Sequence, residues 1–259
     1  MKPELEIKGN TVKNKQTLLV RRPVGDIKDD DLQFCEKTLD CTLKEGEALV
    51  KVELVSLDPT HRVWMTDIPS YLPPVQLGDV MRAGGAGYVV KSKEPKLPVG
   101  SYVAGLVGIQ EYFIAKYSES KNIFSVKVLD DSLPHSNYMS LLAPHIGGTA
   151  YTGTVDICGK NVEAGKTFVV SGASGAVGSL AGQIARIRGA KVIGIVGSAE
   201  KVRRCLEDYK FAGAINYKVV YKSIPLVYKF LYRSLPNYKK QSDVNNMFKH
   251  FRPTTSLRN

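Results

Sequence analysis

The sequence has little for metal or disulfide chemistry to use. Its four cysteines, Cys35, Cys41, Cys158 and Cys205, are scattered without ligand or redox spacing, and the four histidines include no HExxH pair. No metal site is therefore expected, and a reducing, cytoplasmic setting is the expected location. The first twenty residues carry charges instead of an apolar core, which argues against a secretory leader. The longest apolar stretch of the C-terminal segment, residues 224–231, is short and contains Lys229, so no membrane span is expected there. Internal repeats and low-complexity tracts are also missing.

Acidic residues are scarce in one region only. The chain has 36 Lys and Arg against 25 Asp and Glu, a formal charge of +11. From Val219 onward, Lys222, Lys229, Arg233, Lys239, Lys240, Lys249, Arg252 and Arg258 face only Asp243, so this tail supplies +7 of the total. The high isoelectric point thus belongs mostly to residues 219–259. A solvated basic tail is the expected reading, and nucleic acid is not an expected partner of the body of the chain.

With 259 residues the chain can bury more than one core. Up to about residue 130 it reads as short strands. Residues 48–54 (ALVKVEL) alternate, residues 86–90 are apolar, and residues 100–106 and 111–116 are further strands separated by Gly and Pro. An irregular β-barrel fits this pattern. Residues 137–157 then read as helical pieces.

The most informative stretch is VVSGASGAVG, residues 169–178. A buried-type strand over residues 166–171 runs into Gly172, Gly175 and Gly178, spaced three apart. Behind them Val177, Leu180, Ala181, Ile184, Ala185 and Ile187 recur at helical spacing, and Gly189 stands where a helix stop belongs. Residues 191–196 (KVIGIV) form a second apolar strand. Strand, turn, helix and strand make one βαβ unit and imply a parallel sheet. A tight glycine turn at a helix N-terminus lets backbone N–H groups approach a dinucleotide pyrophosphate with no Cβ in the way.

The end of the second strand bears on which dinucleotide. A free ribose 2′-OH is usually held by Asp or Glu about 20 residues past the glycines. Gly197, Ser198 and Ala199 occupy that place, with Glu200 and Lys201 just beyond. A hydroxyl followed by a lysine suits a 2′-phosphate, which a carboxylate would repel. Ser198 can equally cap the next helix with Lys201 a solvated lysine; the two roles are compatible.

Other patterns fail on context. Gly165, Lys166 and Thr167 precede a strand and lack the earlier glycine of a P-loop. Tyr112 and Lys116 lie in strand-like sequence about 13 Å apart. Ser174 lacks the flanking spacing of a nucleophile elbow.

The segment ICGKNVEAGKTFVVSGASGAVGSLAGQIARIRGAKVIGIVGSAEKV, with INYK after it, closely resembles the zinc-independent medium-chain dehydrogenases/reductases, in their prostaglandin reductase, leukotriene dehydrogenase and alkenal double-bond reductase branch. VELVSLDPTHRVWMTD, YLPPVQLGDVMRAGGAGYVV and LVGIQEYFIA resemble the substrate-side domain of the same family. The resemblance implies an α/β chain with a GroES-like β-barrel domain over residues 1–130 and a partial Rossmann domain, a doubly wound parallel sheet, over residues 131–218. It implies NADP as cofactor, held at Gly172, Gly175, Ala176, Val177, Gly178, Ser198, Lys201 and Tyr217. It also implies NADPH-dependent reduction of the conjugated C=C of an enone or alkenal, without a metal. Trp64 and Tyr71 either line the substrate cleft or pack as ordinary aromatics, and no catalytic residue is assigned. The resemblance stops after Lys218, so impaired activity and loss of the family's homodimer are expected. A nucleotide-binding or partner-binding form without catalysis is the alternative.

Overall fold

The computed structural model of the chain describes residues 7, 9–118, 125–130, 132–140 and 144–220. Residues 221–259, with most of the excess basic charge, lie outside the described residues. The chain divides after Ser140 into two compact units.

In the first unit β1 (Thr11–Leu19) and β2 (Leu32–Asp40) form an antiparallel pair. There follow β3 (Glu47–Val55), helix α1 (Thr60–Trp64), β4 (Gly84–Ser92), β5 (Tyr102–Leu106), β6 (Tyr112–Lys116), β7 (Lys127–Val128) and helix α2 (His135–Ser140). Strands β3 to β7 make one antiparallel sheet in the order β6-β3-β4-β5-β7, the GroES-like portion of the chain. Strands β5 and β6 begin at Tyr102 and Tyr112, one or two residues later than the sequence pattern suggests.

The alternation expected in β3 fails over Ala48–Val50, where three consecutive residues are buried. Ala48 and Val50 face a core with Val89, Leu97, Val103 and Phe113, while Leu49 is buried on the opposite face against Cys41, Leu43 and Val90. Both faces of the strand are covered there, so alternation gives way to a continuous apolar run. Asn14 ties β1 to β6 as a surrogate strand segment. Its Oδ1 accepts from the N–H groups of Glu111 (3.1 Å) and Tyr112 (3.0 Å), and its Nδ2 donates to the Tyr112 carbonyl (3.0 Å) and Gln110 Oε1 (3.1 Å). Every hydrogen-bonding position of this buried amide is thereby used.

The second unit opens with an irregular helical run, Pro144–Gly148, α3 (Thr149–Tyr151) and Thr152–Ile157. It continues as β8 (Thr167–Ser171), α4 (Ala176–Ile187), β9 (Lys191–Val196), α5 (Ala199–Glu207), β10 (Gly213–Asn216) and α6 (Tyr217–Val220). The three strands are parallel, ordered β10-β9-β8, as the βαβ pattern requires. Helix α4 buries Ala181, Gly182 and Ala185, whereas Val177 and Ile187 are exposed. The apolar stripe in sequence is thus wider than the face it buries. Small residues lie inward because Phe211 packs on Gly182 so closely that a Cβ there would sit 2.2 Å from the ring. The helix ends as expected at Gly189 (φ 89°). Its N–H bonds the Arg186 carbonyl at 2.9 Å and that of Ala190 the Ala185 carbonyl at 3.0 Å, a Schellman closure.

Close strand approach also explains the glycines of β4. A Cβ on Gly87 would lie 2.1 Å from the Lys51 carbonyl oxygen, next to a register shift in β3 between Val52 and Leu54. Gly87→Ala is expected to destabilise the first unit by about 1–3 kcal/mol, the usual cost of overpacking. Urea unfolding followed by the emission of Trp64 checks this. An unchanged midpoint would show that β3 can retreat without loss.

Candidate nucleotide site and an aromatic corner

In the second unit the glycine turn, Ser198 and Tyr217 all stand at the carboxyl ends of the three parallel strands. Gly172 follows β8 in the left-handed region (φ 63°) that favours glycine. Its carbonyl accepts from the N–H of Gly175 at 2.8 Å, closing the turn. The Ala173 N–H bonds the Ile195 carbonyl at 3.2 Å, so the turn is fastened to the end of β9.

Gly175 is the N-cap of α4, with extended backbone and no side-chain acceptor. The Ser179 N–H closes the first helical bond onto the Gly175 carbonyl at 2.9 Å. The N–H groups of Ala176, Val177 and Gly178, in the first turn, have no intrahelical acceptor and sit at the positive end of a twelve-residue helix. This is the geometry in which a helix receives a phosphate. The two glycines of the turn are constrained differently. A Cβ on Gly178 would lie 2.4 Å from the Gly172 carbonyl oxygen, whereas one on Gly175 meets only that oxygen, at 3.2 Å. Gly178 is required by the turn itself; Gly175 leaves an open approach.

After β9, Ser198 caps α5. Its Oγ accepts from the Lys201 N–H at 3.2 Å, with the serine backbone extended (φ −153°, ψ 161°). The Lys201 side chain is exposed. Tyr217, just after β10, lays its ring beside Gly197, where a Cβ would stand 3.1 Å from a ring carbon and 3.2 Å from the hydroxyl. The structure therefore brings Tyr217 against Gly197, 20 positions earlier in the chain, beside the helix start that carries Ser198 and Lys201. No carboxylate occupies Gly197, Ser198 or Ala199; Glu200 is exposed on the first turn of α5. Such an arrangement could hold a dinucleotide, with the turn open to its pyrophosphate and Ser198 to its 2′ position.

The first unit holds the other two sequence candidates. Trp64, at the end of α1, is buried with Leu19, Met65, Val75 and Met81. Tyr71 stands edge-on to it, ring centroids 6.4 Å apart, and shares a hydrogen bond with Thr60 Oγ1. The segment after α1 returns over the indole because the Val75 N–H bonds the Trp64 carbonyl (3.0 Å) and the Met81 N–H bonds the Thr17 carbonyl (2.8 Å). That return delivers Arg82, whose guanidinium carbon lies 5.4 Å from the centroid of the Trp64 ring. Thr60 and Arg82 have no spacing with Trp64 and Tyr71 that sequence reasoning could have used; the loop alone assembles them.

Comparison with known proteins agrees with this architecture. Residues 15–123 match the family profile described as the N-terminal domain of oxidoreductase. YfmJ of Bacillus subtilis is 43% identical over 209 residues, covering 80% of this chain and 58% of that protein. The NADPH-dependent curcumin reductase of Escherichia coli is 37% identical over 205 residues, 79% of this chain and 57% of that protein. These matches support the resemblance to the zinc-independent medium-chain dehydrogenases/reductases. Among solved structures, CurA from Vibrio vulnificus in complex with NADPH superposes with a TM-score of 0.70 at 32% identity, over 79% of this chain and 58% of that one. The chain thus spans less than two thirds of the length of these relatives. Among the described residues no group of three His, Cys, Asp or Glu could hold a metal ion, and no helix is long and apolar enough to cross a membrane.

The contact between Gly172 and Gly178 has a direct test. Gly178→Ala is expected to force the turn open and cost about 1–3 kcal/mol in the second unit. Far-UV circular dichroism during urea unfolding measures it. A variant as stable as the parent would mean that the turn has slack the backbone geometry does not show.

Proposed function

We propose that the second unit binds NADP(H), and that the protein reduces the conjugated C=C bond of enones or alkenals at the expense of NADPH. The observation that carries this reading is the convergence of three phosphate-compatible features at the carboxyl ends of β8, β9 and β10. They are a glycine turn with three unengaged N–H groups, a serine–lysine pair without a carboxylate, and a tyrosine over a glycine. Open parallel sheets bind nucleotides at this edge. The NADPH-dependent curcumin reductase and the NADPH complex of CurA support the same choice of cofactor.

When bound, NADPH supplies the hydride for the reaction. The residues of this chain bind and orient it. The N–H groups of Ala176, Val177 and Gly178 would hold the pyrophosphate, assisted by the helix dipole. Gly175 keeps the approach clear. Ser198 Oγ and the Lys201 ammonium would meet the 2′-phosphate, with Tyr217 closing that side over Gly197. A 2′-hydroxyl cofactor would forgo the charge interaction with Lys201 and gain no carboxylate in exchange, so NADPH is favoured over NADH.

Lys201→Ala is expected to weaken NADPH by about 1.5–3 kcal/mol, the range for hydrogen bonds to charged groups, with NADH nearly unchanged. Calorimetric titration of both cofactors decides this, and equal losses would remove the 2′-phosphate assignment. Gly175→Val is expected to abolish binding of both cofactors while the circular dichroism spectrum is retained. NADPH oxidation with a simple 2-alkenal then tests the reaction itself. Cofactor binding without turnover would favour a nucleotide-binding role for the chain without catalysis.

A further inference from the structure

The ribbon of β1 and β2 is covered along one edge. Strand β1 is bonded on its far side by the Thr17 N–H to the Ile109 carbonyl (2.9 Å) and by the Met81 N–H to the Thr17 carbonyl (2.8 Å). Among the described residues no strand pairs with the outer edge of β2. The unbroken register with β1 shows what that edge presents. Thr11 to Leu19 face Asp40 to Leu32 one for one. Just outside, the Cys41 N–H bonds the Asn10 carbonyl at 2.8 Å and the Val20 N–H the Asp31 carbonyl at 3.0 Å. Hydrogen-bonded and non-hydrogen-bonded pairs alternate along an antiparallel ladder, so the odd-numbered residues of β2 bond β1 and the even-numbered ones turn outward. Phe34, Glu36 and Thr38 therefore offer a row of backbone donors and acceptors that meet no backbone partner among the described residues.

Long edges are commonly shortened, bulged or interrupted by proline. Residues 32–40 (LQFCEKTLD) contain no proline or glycine, and their register has no bulge. Phe34 is 83% exposed, the most exposed aromatic side chain among the described residues. The charged pair Glu36 and Lys37 then decides which register a second such edge can adopt. A strand paired antiparallel with its own copy has its two-fold axis normal to the sheet, so residues of the same face meet across it. With the axis at Glu36 or at Lys37, like charges stand directly opposite each other. With the axis at Thr38, Glu36 meets Asp40 of the second copy, and with the axis at Phe34 only residues 32–36 overlap. An axis at Cys35 overlaps residues 32–38 and opposes no like charges. Lys37 then meets the uncharged Gln33, and Glu36, held by its own Lys13 at 3.0 Å, meets Phe34. The outward groups of Phe34 and Glu36 form the hydrogen-bonded pairs of that register.

We propose that the outer edge of β2 is a self-association surface, on which two copies of the chain pair antiparallel about Cys35 to give one sheet ordered β1-β2-β2-β1. The contact lies wholly within the first unit and does not involve the nucleotide site. One strand pair is a small interface, so the dimer is weak and concentration-dependent.

Sedimentation equilibrium of the full chain, reduced and without nucleotide, is expected to show a monomer–dimer equilibrium below about 0.3 mM, the weak end of specific association. Position 33 faces position 37 twice across the axis, which makes it the test of register. Gln33→Glu, setting a carboxylate opposite each Lys37, is expected to tighten the dimer by about three- to thirtyfold, and Gln33→Lys to weaken it by a similar factor. Both positions are exposed, so neither exchange disturbs the core. Cys35 on the axis occupies a non-hydrogen-bonded pair with Cα atoms about 4.5 Å apart, within reach of a disulfide. Cys41 and Cys205 are buried, so in a Cys158→Ser chain added diamide should link two copies through Cys35. The two thiols give up two protons and two electrons, the S–S bond forms, and diamide becomes the hydrazine. Replacing Cys35 by serine as well should abolish the link and leave the non-covalent dimer in place. A chain that stays monomeric overturns the proposal. So does a dimer that responds to neither exchange at Gln33, and so does the lack of a Cys35 link in the Cys158→Ser chain.

Discussion

The second unit depends on one close approach, that of the Gly172 carbonyl to the Cα of Gly178. With 2.4 Å between the carbonyl oxygen and the place a Cβ would take, the strand end and the first turn of α4 pack as backbone against backbone. This fixes the helix axis relative to β8 and turns three N–H groups toward the sheet edge. The same contact explains why the turn starts in a left-handed residue. Gly172 must reverse direction at once if its carbonyl is to face the helix it precedes.

That backbone geometry creates positive potential without a charged side chain. The helix dipole and the N–H groups attract phosphate wherever the cradle is open, but they do not distinguish one dinucleotide from another. Under the function proposed above, discrimination would fall to the next strand end. There Ser198 serves two purposes at no conflict, because its Oγ accepts from the Lys201 N–H while its own proton remains available. Capping α5 also fixes where Lys201 leaves the helix, so the proposed choice between cofactors would be coupled to a local folding motif.

Much of the second unit was legible in the sequence. The Gly172–Gly178 spacing, the apolar runs on either side and Gly189 each reflect a backbone requirement, and the structure places β8, α4 and β9 within a residue of the expected limits. The sequence pattern found the buried side of α4, with Ala181 and Ala185 on it, but drew it too wide. It adds Val177 and Ile187, which are exposed, and passes over Gly182, which lies inward because Phe211 arrives from the loop before β10 and needs the space. In the first unit, alternation in β3 hid the second layer of core that buries Leu49. Strands β1 and β2 carry no clear period at all, since much of β2 stays exposed and its partner is held by Asn14, a polar residue. Nothing in a single sequence says that an asparagine stands in for a strand.

The nucleotide cradle and the corner around Trp64 differ in legibility because the residues that build them are related over different distances along the chain. The nucleotide cradle uses N–H groups of consecutive residues, and its requirements are local: glycine where a Cβ would collide, a hydroxyl where a helix must start. Local requirements leave a fixed spacing. The corner around Trp64 uses a guanidinium, and a guanidinium can be delivered from any loop long enough to return. Here the return is secured by two backbone hydrogen bonds, from Val75 to Trp64 and from Met81 to Thr17, neither of which specifies the residue types it joins. Thr60, Trp64, Tyr71 and Arg82 therefore look unrelated along the chain. Their relation is created by the fold, through backbone bonds that the side chains do not specify.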